Sequence, residues 1–269
     1  FKGVVDKYSF NGVSLLEEPI IENFYRAPTD NDGCRPGRQN DRWRQEGLDR
    51  LKKRVKSFKV LYITDSEVKI SVEGCFAADA LKPVFDTTVT YTVNASGEIE
   101  IETEFIPLRK IDFIPRLGMK FAMNGKFEYI TWYGRGPLQN YEDMKESALV
   151  GLYSTTVTED YVDYIYPQEY GNRCDVRWVQ ITNPTDIGIK ITGLPMFSFS
   201  AHPFSLENLV NARHTTELVK SGKTHVYVDY RQCGLGSNSC GPLPLEEYRL
   251  YPVNTKYSFR ITPIINWGR

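Results

Sequence analysis

Glu98-Ile99-Glu100-Ile101-Glu102-Thr103-Glu104-Phe105 alternates charge with apolar bulk. That period of two sends successive side chains to opposite faces of a β-strand. Four glutamates crowded on one packed face would repel one another, so that face is expected to meet water while Ile99, Ile101 and Phe105 point inward. The preceding segment behaves alike, with Val89, Tyr91 and Val93 set against Thr88, Thr90 and Thr92. Asn94-Ala95-Ser96-Gly97 between them reads as a hairpin loop. Working outward, similar runs occur at VKISVEG (68–74), PRLGMKFAM (115–123), YITWYG (129–134), RWVQIT (177–182), GIKIT (188–192), FSFSAH (197–202), HVYVDY (225–230) and YSFRITPI (257–264), separated by turn residues such as Asn183-Pro184 and Gly193. So many short strands predict an all-β antiparallel sandwich or barrel with a polar outer layer.

Helical pattern is scarce. Asp41 to Val55 places Leu48, Leu51 and Val55 on one stripe behind an Asn40 or Asp41 cap, with Gly47 as a weak point. Ser205 to Ala212 reads as a second short helix capped by Ser205. No repeat of 20–50 residues, low-complexity tract or linker divides the chain, so residues 1–269 are expected to form a single domain.

Composition excludes several classes. Of 269 residues, 41% are hydrophobic and 25% charged, which is globular and not disordered, collagenous or coiled-coil. Lys and Arg total 33 against 34 Asp and Glu, so no broad positive field draws in nucleic acid. No run of about 18 apolar residues predicts a membrane span, and FKGVVDKYSFNG at the start has no signal-peptide pattern. A first residue of Phe1 points to a processed product or a piece of something longer. Cys34, Cys75, Cys174, Cys233 and Cys240 are widely spaced without a CxxC pair, so they are expected as small buried hydrophobes and not as zinc ligands.

Glycoside hydrolysis ordinarily needs two carboxyls about 5–9.5 Å apart. The acids here are scattered, and the adjacent pairs Glu142-Asp143 and Glu246-Glu247 read as solvated surface. HTTEL (214–218) has Leu218 where a zinc motif needs a second His. Asp30-Asn31-Asp32-Gly33 begins like a calcium loop but lacks the later glutamate, and reads better as an Asx turn. GLGSNSCG (234–241) lacks the third glycine and the βαβ setting of a dinucleotide fingerprint, leaving a polar loop able to approach a ligand closely. WYGRGPLQNYED (132–143) and YPQEYGNRCDVRW (166–178) mix aromatics with Arg, Asn, Gln and Glu, a mixture that suits either a sugar or a buried polar cluster.

At these segments the chain resembles the C-terminal domain of the large bacterial β-galactosidases of glycoside hydrolase family two. The matching stretches are ENFYRAPTDNDG (22–33), WYGRGPLQNYED, YVDYIYPQEYGNRCDVRW (161–178), SLENLVNARHTTEL (205–218), VDYRQCGLGSNSCGP (228–242) and the closing YSFRITPI. The resemblance implies a supersandwich of two large antiparallel sheets, like that of galactose mutarotases, with one or two short helices. It implies a parent enzyme that releases terminal non-reducing β-D-galactose with retention. In that family the catalytic glutamates and principal metal sites, Mg or Na, belong to a preceding (β/α)₈ barrel, so this chain is expected to hold no catalytic pair, metal or cofactor and to be inactive alone.

The same resemblance makes this domain a wall of the barrel's active site. One of its loops carries an aromatic platform for the sugar beyond the scissile bond, and alignment on GLGSNSCGP puts that platform at Cys240, where the best-known members have Trp. Asn238, Ser239 and Cys240 become the candidate substrate-binding residues, with Glu169 and Arg173 from the second mixed segment. The implied partners are the parent's other domains and a galactoside, in a parent that assembles as a homo-oligomer in some family members; cytoplasm and periplasm both stay open. The alternative is an independent carbohydrate-binding module or an aldose 1-epimerase, for which His202 or His214 with Glu169 would supply acid and base.

Overall fold

The computed structural model describes residues 2–33 and 38–265; Cys34 lies outside them. A small hairpin, β1 (Ser9–Phe10) and β2 (Val13–Ser14), leads into β3 (Glu18–Asn23) and helix α1 (Gln39–Gln45). Eight strands follow before the next connection changes character: β4 (Lys52–Ile63), β5 (Glu67–Ala77), β6 (Phe85–Asn94), β7 (Ile99–Pro107), β8 (Arg116–Asn124), β9 (Tyr129–Gly136), β10 (Leu149–Thr156) and β11 (Arg173–Thr182). The long β12 (Gly188–His202), helix α2 (Leu206–Asn211), β13 (Lys223–Gln232) and β14 (Thr255–Ile264) complete the chain.

The alternation around Glu98 is realised as read. β7 lies between β6 and β14, with Ile99, Ile101, Thr103 and Phe105 buried and the glutamates half-buried on the other face. β14 supplies the counter-charges: Arg260 meets Glu98 at 3.2 Å and Glu100 at 3.0 Å, and Lys256 meets Glu102 at 3.4 Å. Wet pairs of this kind are worth under about 1 kcal/mol each, enough to relieve repulsion but not to drive folding. The hairpin loop closes as the Asn94 side-chain oxygen accepts the N–H groups of Ser96 and Glu98.

Twelve strands form one antiparallel sheet in the order β10-β9-β11-β12-β14-β7-β6-β5-β4, with β13, β8 and β3 branching from β12. The branch lies within β12, whose Gly188–Leu194 pairs with β14 and whose Ser198–His202 pairs with β13. Pro195, which has no N–H to offer a ladder, sits in the gap between the two pairings. The sheet thereby folds over itself, and β13, β8 and β3 face β14, β7 and β6. Phe24 stacks on Phe85 at 4.8 Å between ring centroids, Phe105 meets Phe24 edge-on at 5.7 Å, and the Tyr257 hydroxyl donates to the Val228 carbonyl across the layers. This is an all-β supersandwich with two short helices.

One helix is shorter than the sequence pattern suggests. α1 ends at Gln45, because Gly47 adopts φ +78° and a single 3₁₀ turn follows at Leu48–Arg50. Lys52 onward is strand β4, where the period-two order of Lys53, Val55 and Ser57 against β5 prevails over the helical stripe. Trp43 anchors the shortened helix by donating its indole N–H to the Phe113 carbonyl at 2.8 Å. Helix α2 has the expected cap, Ser205 Oγ accepting the Asn208 N–H.

Cys75, Cys174 and Cys233 are buried free thiols, whereas Cys240 is exposed and departs from the buried role expected of the cysteines. Among the described residues no helix is long and apolar enough to cross a membrane.

Candidate functional site

Alternation on the folded-over layer sends Leu117, Met119 and Phe121 of β8, Val226 and Val228 of β13, and Phe197 and Phe199 of β12 into the core. Their strand neighbours Arg116, Asp229, Tyr227, Ser200 and His202 must then face outward, yet all of them are buried. The segment around Glu169 and Tyr170 covers them. Arg116 bonds Glu169 at 2.5 Å, lies 2.9 Å from the Asp229 carboxylate, and stacks over the Tyr227 ring at 4.4 Å. His202 bonds the Tyr170 carbonyl at 2.9 Å and packs on its ring.

One guanidinium here faces two carboxylates out of water, so the cluster carries an excess negative charge. Burial, with repulsion from Glu169, pushes the Asp229 carboxyl up to about 7 against the pull of Arg116. Burial also holds His202 below the usual imidazole range and therefore neutral. Gly118 makes the arrangement fit, because a side chain there would collide with Asp229 across the strand pair.

The network continues toward one end of the sandwich and fixes the loops there. Gln232 donates to Asn172 at 2.9 Å, and Asn172 and Asn140 exchange main-chain and side-chain bonds at 2.7 and 2.8 Å. Arg26, also buried, forms a fork to Asp32 at 3.0 and 2.7 Å and donates to the Cys233 carbonyl at 2.7 Å. Asp32 accepts the Thr29 N–H as well, and Thr29 Oγ1 accepts the Asp32 N–H, so the turn is closed by a reciprocal Thr29–Asp32 pair locked by Arg26 in place of the expected Asx turn, and its second carboxylate is spent.

Three segments meet at the 234–241 loop. Asp143 accepts the N–H groups of Leu235 and Gly236 at 3.0 and 2.6 Å. Asn31 donates to the Gly236 carbonyl and accepts from the N–H and hydroxyl of Ser239. Arg38 donates to the carbonyl and side-chain oxygens of Asn238. The loop is thus pinned from beneath, leaving Asn238, Ser239 and the exposed Cys240 on its outer lip. A cleft of about 300 Å³ opens beside the 28–33 turn, between Arg44, Tyr166 and Arg213.

Asn238, Ser239 and Cys240 therefore come together, and Glu169 and Arg173 stand apart from them. Glu169 belongs to the closed Arg116 cluster and on the loop's side meets Gln232, two positions before the loop begins. Arg173 is buried in an ion pair with Asp160, its guanidinium 5.0 Å from the Trp132 ring centre. His202 lies inside the same closed cluster as Glu169, while His214 is exposed and bonded to Glu217 at 2.8 Å. Of the adjacent acids, Glu142 pairs with Lys145 and Arg231 while Asp143 holds the loop. Among the described residues no three His, Cys, Asp or Glu side chains are grouped to hold a metal ion.

Arg26, Arg116 and Asp229 are not distinguished in the sequence; Asn31 reads there only as part of a turn, and Asp143 reads as solvated surface where the structure uses it to hold the loop. The one available signal was an arginine opposite the apolar face of PRLGMKFAM, which reads equally well as ordinary polar surface.

The convergence of separate motifs on this end of the fold matches what comparison shows. The family model for the beta galactosidase small chain matches residues 1–262. The β-galactosidase of Priestia megaterium is 34% identical over 267 residues, covering 98% of this chain and 25% of that protein. The β-galactosidase of Staphylococcus xylosus is 31% identical over 247 residues, covering 92% of this chain and 24% of that protein. Among solved structures, a putative aldose 1-epimerase from Escherichia coli K12 superposes with a TM-score of 0.46 at 10% identity, covering 97% of this chain and 92% of the other. The chain spans about a quarter of the length of the curated relatives it matches. With nearly its whole length matched, and with the segments 22–33, 132–143, 161–178 and 228–242 gathered into one buried network and one braced loop, this chain belongs to the beta galactosidase small chain family.

Proposed function

We propose that this chain is one wall of a β-galactosidase active site, completed by a (β/α)₈ barrel that carries the two catalytic carboxylates and any Mg or Na ion. In this reading residues 1–269 act as one domain, the substrate is a terminal β-D-galactoside, and hydrolysis proceeds with retention. The observation that supports it is the bracing of the 234–241 loop by Asn31, Arg38 and Asp143, which presents a rigid polar lip on the surface. A wall of this kind contributes by excluding water and holding the sugar in register, effects that depend on a preorganised surface.

The lip has a specific chemistry. Asn238 has its oxygens engaged by Arg38, leaving its amide N–H groups to donate to a sugar hydroxyl, and Ser239 can still accept on its oxygen. Cys240 has no flat π-face to stack on a pyranose, so the acceptor sugar is held by hydrogen bonds more than by stacking. Replacing Cys240 with Trp in the full-length enzyme is expected to tighten glucose as acceptor and raise transglycosylation. Unchanged acceptor kinetics would overturn the loop's assignment.

A further inference from the structure

On the outer face of β3, β8 and β13, a cleft of about 250 Å³ opens beneath α2. Ile21, Pro19 and Leu206 give it apolar walls, and Lys120, His225 and Tyr227 face into it from β8 and β13. Lys120 is half-buried, and among the described residues it makes no hydrogen bond or ion pair. Other partly buried lysines differ: Lys53 holds Glu22 at 2.7 Å, and Lys145 lies between Glu142 and Asp175. Two acids line the cleft, Glu18, which is taken by Lys223 at 2.8 Å, and Glu207 at the start of α2.

The groups around Lys120 push its ammonium toward the neutral amine. Burial lowers its proton affinity and Arg116 on the same strand adds to this, against a weaker opposite pull from Glu18. His225 contributes no positive charge near neutral pH, since burial lowers it to about 4, and Tyr227 stays protonated. A lysine amine without a counter-ion, set against the apolar walls of a cleft of mixed lining, is a nucleophile toward carbonyl carbon.

We propose that this cleft takes small aldehydes and holds them as an imine on Lys120. The Nζ lone pair attacks the aldehyde carbon, the carbonyl π pair moves to oxygen, a proton passes from nitrogen to that oxygen, and the carbinolamine then loses its hydroxyl with the second nitrogen proton as water to leave C=N. No electrons are gained or lost overall, and hydrolysis reverses the step. The cleft lies apart from the 234–241 loop, so the inference does not depend on the glycosidase reading.

The test treats the chain with glyceraldehyde or with galactose in the presence of cyanoborohydride, which traps imines, followed by peptide mass mapping. Lys120 is expected to be labelled several-fold faster than the exposed Lys110 and Lys126, because burial and Arg116 disfavour its ammonium form. Its rate is expected to saturate with aldehyde concentration and to fall when Leu206→Trp fills the cleft, while Lys110 and Lys126 are unaffected. Labelling by glyceraldehyde alone identifies triose-sized aldehydes as the occupants, and labelling by both extends them to reducing sugars. Labelling of Lys120 no faster than Lys110, or linear in concentration and indifferent to Leu206→Trp, overturns the proposal.

Discussion

Phe105 and Arg116 are both 0% exposed, on neighbouring layers of the same sandwich, yet their surroundings are opposites. Phe105 sits among Phe24, Phe85 and Tyr257, where every contact is non-directional and a neighbour of similar volume serves nearly as well. Arg116 sits between Glu169 and Asp229, where each partner is a charge that water no longer solvates. The first region makes the chain fold, and the second decides where its loops point. Shape holds the apolar slab together. The polar cluster is held by mutual necessity, since removing any one member strands the others.

The largest expected effects put equal damage on both regions and then ask what repairs it. Arg116→Met and Phe105→Ala should each cost about 3–5 kcal/mol, the first by leaving carboxylates buried without a counter-ion and the second by opening a cavity. Denaturant titration measures both. Repair should differ: Phe105→Leu should cost under about 1.5 kcal/mol. Arg116→Met should recover only when Glu169→Gln and Asp229→Asn are added. Full recovery of Arg116→Met without those changes would erase the distinction between the two regions.

A smaller effect sharpens the electrostatic side. The Asp229 carboxyl is raised in the folded chain from 3.8 to about 7, so the folded state holds a proton there that the unfolded state has released. Stability from this group is present below about pH 4 and is lost as pH rises to about 7. Asp229→Asn should flatten that part of the stability profile, and a profile identical to that of the parent chain would show that Asp229 is ionised throughout.

The smallest global effect belongs to the loop. Asn31→Ala removes two bonds to Ser239 and one to Gly236, at a net cost of about 1 kcal/mol. Amide exchange in residues 235–240 should nevertheless rise sharply while β6 and β7 stay protected. Equal exchange in the variant and the parent chain would mean that Asp143 and Arg38 brace the loop without Asn31.

The apolar slab was legible in the sequence because its rule is local. Alternation in Glu98–Phe105 identifies a strand and its buried face without knowledge of any partner, and Ser205 announces α2 through a bond three residues away. α1 was over-read because Leu48, Leu51 and Val55 satisfy a helical period that the left-handed turn at Gly47 interrupts. The polar cluster was not legible because its partners lie far apart in the chain: Arg116 and Glu169 are separated by 53 positions, and Arg26 and Cys233 by 207. No spacing rule links residues at such distances. The lip residues Asn238, Ser239 and Cys240 were reached through motif resemblance, and the bonds from Asn31, Arg38 and Asp143 that hold them had no local signature.

The most direct test of the central claim is turnover of a chromogenic β-galactoside by the pure chain, by the remaining three-quarters of a family β-galactosidase expressed without this domain, and by the two mixed. No turnover is expected from the chain, little from the remainder, and recovery on mixing. Galactosidase activity in the pure chain, or full activity in the remainder without it, would contradict the claim that this domain is a wall of a shared site.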